Sequence, residues 1–128
     1  MDQAPIKRLN LGHNNIGDEG ARNLAEVLKV KRTLTVLHLN DNQISDRGVQ
    51  MLANALCHPK TNLTQLYLEN NQQISDSSIV YFTEMLRQNQ SLNTLWLIGC
   101  NLTNAGKERL RAAVASRKNF HLLLDPSE

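Results

Sequence analysis

Catalysis or metal binding would show first in histidine, cysteine and acidic side chains, and in this chain of 128 residues they are scattered. His13, His38, His58 and His121 share no common spacing. Cys57 and His58 are adjacent, which suits neither a nucleophile with its base nor, without further ligands, a metal site. A helix end with a favourable imidazole accounts for His58. Gly99 to Gly106-Lys107 has the glycines and lysine of a phosphate loop, but the interval is too long and Glu108 stands where a magnesium-binding Ser or Thr belongs. Asp18, Asp46 and Asp76, with Asn104, recur where helices would begin, so helix N-capping explains them without calcium. These residues assign no catalytic, cofactor-binding or metal site, and the chain reads as a non-enzyme.

Composition narrows the classes further. Lys plus Arg number 14 against 12 Asp plus Glu, which argues against a nucleic-acid or membrane-surface protein held by charge. Lys107, Arg109, Arg111, Arg117 and Lys118 form a basic cluster without interleaved aromatics, and it reads as a solvated helix face. The triplets beginning at Asn62, Asn89 and Asn101 match glycosylation acceptors, as an Asn-rich chain will by composition. No apolar run approaches the roughly 18 residues of a membrane span. The first five residues lack the apolar stretch of a secretory signal. Cys57 and Cys100 read as reduced thiols, and a cytoplasmic location is expected.

Most of the chain is one phrase said four times. Leu9, Leu37, Leu66 and Leu95 each open a Leu-x-Leu pair, at intervals of 28, 29 and 29 residues. Five positions after each stands Asn14, Asn42, Asn71 or Cys100, then an aliphatic residue (Ile16, Ile44, Ile74, Leu102). The Leu-x-Leu pair is a short strand with both leucines on one face. The Asn side chain, where the chain leaves the strand, can bond backbone groups that no neighbouring strand satisfies. Cys100 replaces it with a compact, weak partner.

Apolar residues then recur near a 3.6 spacing: Ala21, Leu24, Ala25 and Leu28; Val49, Leu52, Ala53 and Leu56; Ile79, Phe82, Met85 and Leu86; Leu110, Ala113 and Val114. Neither such a stripe nor a lone strand can bury its surface alone, so the copies must stack, strands side by side and helices outside. The fold class is therefore α/β: a curved solenoid of about four strand-loop-helix repeats with a parallel sheet on its concave inner wall and helices on the outer, convex side. One domain spanning 1–128 is expected, with repeats at about 6–33, 34–62, 63–91 and 92–119 and a closing strand at 120–124, its register ambiguous by one residue.

Departures from the phrase carry their own expectations. Gln72-Gln73 adds a residue and Ser78 replaces a glycine, so the third loop should bulge. Lys107 stands at a core aliphatic position and should loosen the last helix's first turn. Nothing comparable precedes Ile6, leaving an uncapped end through which copies could associate.

Residues alternating with the leucines line the concave wall in three columns. The first is Arg8, Val36, Gln65 and Thr94; the second is Asn10, His38, Tyr67 and Trp96; the third is Gly12, Asn40, Glu69 and Ile98. The chain's one tryptophan thus neighbours Tyr67 on a face where small polar residues would suffice for structure. Grouped aromatics with polar neighbours compose an interface hot spot. The candidate partner-binding residues are His38, Asn40, Gln65, Tyr67, Glu69, Thr94, Trp96 and Ile98. The alternative is that Trp96 packs under a flanking segment or on another copy of the chain.

The phrase Leu-x-Leu-x-x-Asn-x-Ile-x-Asp-x-Gly-Ala-x-x-Leu-Ala-x-x-Leu, carried by Leu9 to Leu28, resembles the ribonuclease-inhibitor type of leucine-rich repeat. The resemblance extends from about Ile6 to Leu124. That type includes the ribonuclease inhibitor, intracellular innate-immune receptors, an activator of the Ran GTPase, actin-capping proteins and bacterial effectors, which share a binding surface rather than a reaction. It implies a right-handed solenoid, a horseshoe segment, and a protein-interaction module whose partner is another protein. Two alternatives remain: a regulatory domain acting on an enzyme or GTPase, and a structural fragment of a longer array.

Overall fold

The computed structural model describes residues 5–127. Five parallel strands, β1 (Arg8–Asn10), β2 (Val36–His38), β3 (Gln65–Tyr67), β4 (Thr94–Trp96) and β5 (His121–Leu123), form one sheet in sequence order. Four helices, α1 (Gly17–Val30), α2 (Asp46–Leu56), α3 (Ile79–Gln88) and α4 (Asn104–Val114), carry the chain from each strand to the next. Arg8, Val36, Gln65, Thr94 and His121 are in register across the sheet, as are Asn10, His38, Tyr67, Trp96 and Leu123. The register of the last strand is thereby settled: Leu123 stands beside Trp96, while Leu122 pairs with Leu95 and Leu124 is buried.

The core lies between sheet and helices and is almost wholly aliphatic. The paired leucines of β2, β3 and β4, Ile44 and Ile74 are at most 1% exposed, and the predicted stripes of α1, α2 and α3 close over them. Leu34, Leu63 and Leu92, just before their strands, complete each layer. α4 is thinner, burying Leu110 fully and Ala113 and Val114 in part.

Beyond each of β1 to β4 stands a left-handed residue, four positions after the first leucine: His13 (φ 61°), Asp41 (59°), Asn70 (61°) and Gly99 (81°). Asn, Asp and His tolerate that conformation better than other side chains. Gly99 is required for a second reason, since a Cβ there would lie 2.1 Å from Asn70 Oδ1. Gly99→Ala is expected to cost about 1–3 kcal/mol. Gly17→Ala, also at positive φ but facing open space, should cost only about 1 kcal/mol. Urea midpoints at unchanged slope measure both.

Where the strands stop, side chains take over the pairing. Asn42 Oδ1 accepts from the backbone N–H of Asn14 and Ile16, and its Nδ2 donates to the carbonyls of Leu11 and Asn40. Asn71 repeats this one layer on, accepting from Asn42 and Ile44 N–H and donating to Leu39 and Leu68 O. In the fourth layer the Cys100 thiol donates to Leu68 O at 3.3 Å. Burial pushes that thiol up to about 12, so it stays protonated and keeps its one donor.

The recurrent aspartates are not helix caps. The caps are the residues just before the helical turns: Ser45, Ser75 and Thr103 accept from the N–H of Arg47, Ser77 and Gly106. Asp18, Asp46 and Asp76 reach forward to the next layer, each accepting from the backbone N–H and hydroxyl of that layer's cap residue. Ser78 fits the same scheme. Gly48 and Gly106 leave room for the preceding aspartate, where a Cβ would lie within 2.5 Å of its Oδ1, whereas Ser78 donates its hydroxyl to Asp46. The third helix accordingly begins with a 3-10 turn, Asp76–Ser78, and the extra residue is taken up by the exposed Gln72 and Gln73 between buried Asn71 and Ile74.

These links carry a pH dependence. Burial pushes the Asp46 carboxyl up, but the bonds from Ser75 and Ser78 outweigh it and leave it below its ordinary value. The Thr103 hydroxyl and backbone N–H hold Asp76 below its ordinary value too. A depressed carboxylate stabilises the fold above its unfolded pKa of about 4, and that share is lost as pH falls through the lower folded value. Thermal melts should drop steeply below about pH 4, with the drop reduced in Asp46→Asn relative to its own neutral-pH value.

Lys107 also departs from expectation. Instead of loosening α4, its ammonium group pairs with Asp125 at 2.5 Å, a carboxylate that Arg111 also contacts, and so ties the helix to the chain beyond β5. At the other end Ile6, Val27 and Val30 are 62%, 39% and 71% exposed.

Candidate protein-binding face

The concave wall is built by the side chains that the leucines turn outward. Parallel registry puts His38, Tyr67 and Trp96 on adjacent strands, and their rings form a continuous row. His38 and Tyr67 stack with centroids 4.3 Å apart and planes 7° from parallel. Trp96 meets Tyr67 edge to face, at 4.9 Å and 87°. Each such pair contributes roughly 0.5–1.5 kcal/mol beyond area burial. The rings cover one another, so Tyr67 and Trp96 are half-buried rather than standing free as a sequence column suggests. The Tyr67 hydroxyl donates to Gln65 Oε1 at 2.7 Å, fixing the ring from the first column.

The other predicted residues divide. Asn40, Glu69 and Ile98 border the ring row in the third column, and Asn40 Nδ2 donates to Asp41 Oδ2. Thr94, 6% exposed and donating its hydroxyl to Asn93, presents almost no surface to a partner. Its column lies at the start of the strand, where Val36 is covered as well. Two buried polar atoms on the wall, Glu69 Oε1 and Trp96 Nε1, have no hydrogen-bond partner among the described residues. An unmet buried polar atom costs about 1–3 kcal/mol. Nothing in the sequence could have shown this, because it depends on where each ring and carboxylate turns. Burial pushes the Glu69 carboxyl above its ordinary range, its own backbone N–H and His38 opposing. Its neutral form therefore favours the folded state, a share present at low pH and lost as pH rises through the raised value.

Elsewhere the polar groups do structural work. His58, past the end of α2, accepts from Lys60 N–H through Nδ1. Cys57 is half-buried, and burial pushes its thiol up. Of the basic cluster, Arg117 donates to the carbonyls of Leu86 and Leu92 and lies 5.0 Å over the Phe120 ring. Among the described residues no group of three His, Cys, Asp or Glu could hold a metal ion, and no helix is long and apolar enough to cross a membrane.

A parallel sheet with one strand per repeat, an asparagine ladder at its edge and helices behind define a leucine-rich repeat. The chain is a leucine-rich repeat protein of the ribonuclease-inhibitor-like type. The Leucine Rich repeat family model matches residues 4–25 and 30–53. The chain is 34% identical over 94% of its length to NACHT, LRR and PYD domains-containing protein 13 of Homo sapiens, of which it covers 11%. It is 28% identical over 90% of its length to the ribonuclease inhibitor of Mus musculus, covering 25% of that protein. It thus spans between a tenth and a quarter of these curated relatives. Leiomodin-1 Actin-Binding Site 2 shares the fold, with a TM-score of 0.78 at 18% identity over 93% of this chain and 69% of that one.

Proposed function

We propose that the chain is a non-enzymatic protein-interaction module that holds a partner protein on its concave face, through Tyr67 and Trp96 with His38, Asn40, Gln65, Glu69 and Ile98. The observation that carries this reading is the locked row of three rings on the sheet face turned away from the leucine core. Rings already fixed by stacking lose little freedom on binding, and aromatic side chains dominate interface energetics. Two similar proteins, named for inhibiting ribonuclease and for binding actin, support a macromolecular partner. The ribonuclease-inhibitor relatives also favour a regulatory form of the reading, with an enzyme as partner. A cytoplasmic setting fits the two free thiols.

The test is capture from lysate by the wild-type chain, by Tyr67→Ala/Trp96→Ala and by the outer-face variant Arg22→Ala, each verified as folded by circular dichroism. The expected result is a partner kept by the wild type and Arg22→Ala and lost, by at least tenfold in affinity, in the double variant, as hot-spot truncation does. Equal retention by the double variant moves the site off the concave face. A second reading, self-association through the exposed Ile6, Val27 and Val30, predicts a mass in light scattering that rises with concentration.

A further inference from the structure

Glu69 is out of place among its neighbours. In its column Gly12 has no side chain, Asn40 is engaged with Asp41, and Ile98 is apolar. Besides burial, Asp41, of the same sign, pushes the Glu69 carboxyl up, and His38 opposes that push. The wall's arginine, Arg8, lies in the first column of β1, roughly 13 Å away along the strand direction alone. A carboxylate oxygen and, one strand over, an indole N–H are both buried and both unmatched. Glu69 is itself half-buried, and its last side-chain torsion is soft enough to turn the unmatched oxygen toward the concave surface.

We propose that this corner of the wall takes an arginine side chain of the partner protein, its guanidinium pairing with the Glu69 carboxylate beside the ring row. The proposal rests on the reading of the concave face as the partner surface. The unmatched carboxylate oxygen calls for a donor that none of the described residues supplies. The carboxylate, with Asp41 beyond it, selects a cation and repels an anion. A guanidinium is weakly hydrated, stacks on aromatic rings and presents its donors as a planar fork, so it suits a carboxylate framed by rings better than a hydrated ammonium does. Its charge also opposes the upward push that burial exerts on Glu69.

Trp96 is the one tryptophan of the chain, so its indole N–H resonance reports on this corner alone. The probes are a capped Gly-Arg-Gly peptide and its uncharged citrulline counterpart, titrated into the full chain and followed by NMR. The expected result is a saturable shift of the Trp96 resonance with the arginine peptide, at least tenfold weaker with citrulline. Glu69→Gln should weaken the arginine response at least tenfold, while Glu19→Gln on α1 leaves it unchanged. Equal responses to both peptides, no saturable response, or an unaltered response in Glu69→Gln would each overturn the proposal. So would a Trp96 resonance that moves on Glu69→Gln alone yet ignores the arginine peptide, since the two side chains would then serve each other. Should the peptides fail while Tyr67→Ala/Trp96→Ala still releases the captured partner, the arginine anchor falls and the binding face stands. Should the double variant keep its partner, the binding face itself falls.

Discussion

Replacing Asn71 by alanine should lower stability by about 3–5 kcal/mol, while the same change at Asn14 should cost within about 0.5 kcal/mol. The two residues hold the same place in the repeat and differ in what they serve. Asn71 is fully buried, and its amide satisfies two N–H groups of the layer before it and carbonyls on both layers. Alanine leaves those groups unpaired where water does not reach, at about 1–3 kcal/mol each before relaxation. Asn14 is exposed, and among the described residues its amide donates to Gly12 O alone. Against a total stability of about 5–15 kcal/mol, the first change should bring the chain close to unfolding at room temperature. Chemical denaturation of the two variants side by side measures the difference, and near-equal losses would refute the ladder's role.

Phe82→Ala is expected to cost a further comparable amount, about 3–5 kcal/mol. Phe82 is the largest of the fully buried side chains, 1% exposed, on the inner stripe of α3 in the third layer. It belongs to a closely packed core whose other buried members are aliphatic and methionine side chains, so the vacated volume can close only in part. Position in the array adds to the effect. A solenoid is held by contacts between adjacent layers, and loosening an inner layer weakens the joints on both sides. Phe82→Ala should therefore broaden the urea transition as well as shift it. Phe120→Ala, half-buried beneath Arg117 near β5, should shift it less and leave its sharpness intact.

The strands, the helix stripes and the asparagine ladder were legible in the sequence because each repeats at 28 or 29 residues, and periodic burial imposes periodic residue types. The same periodicity misled at the aspartates. A residue that recurs near the start of every helix reads as a cap, yet the cap is Ser45, Ser75 or Thr103, and each aspartate spans to the next layer. Sequence spacing locates a position within a repeat and is silent on which repeat its side chain serves. Lys107 illustrates the converse: it breaks the pattern locally because its partner, Asp125, lies beyond the repeat.

The candidate site was legible in outline and not in detail. Alternation with the leucines placed His38, Tyr67 and Trp96 in one column, and registry made them neighbours. That His38 and Tyr67 stack flat and Trp96 meets Tyr67 edge-on, that Gln65 anchors Tyr67, and that Thr94 is closed over are matters of side-chain torsion and local curvature. So are the unmatched atoms of Glu69 and Trp96.

The central claim is that the concave wall, not the helices, meets the partner. Hydrogen exchange of the chain, free and bound to the protein it captures, tests this most directly. Binding on the concave wall should slow exchange across 36–41, 65–70 and 94–99, with the outer faces of α1, α2 and α3 unchanged. Slowing confined to the helices, with the strands and their following turns unaffected, would contradict it.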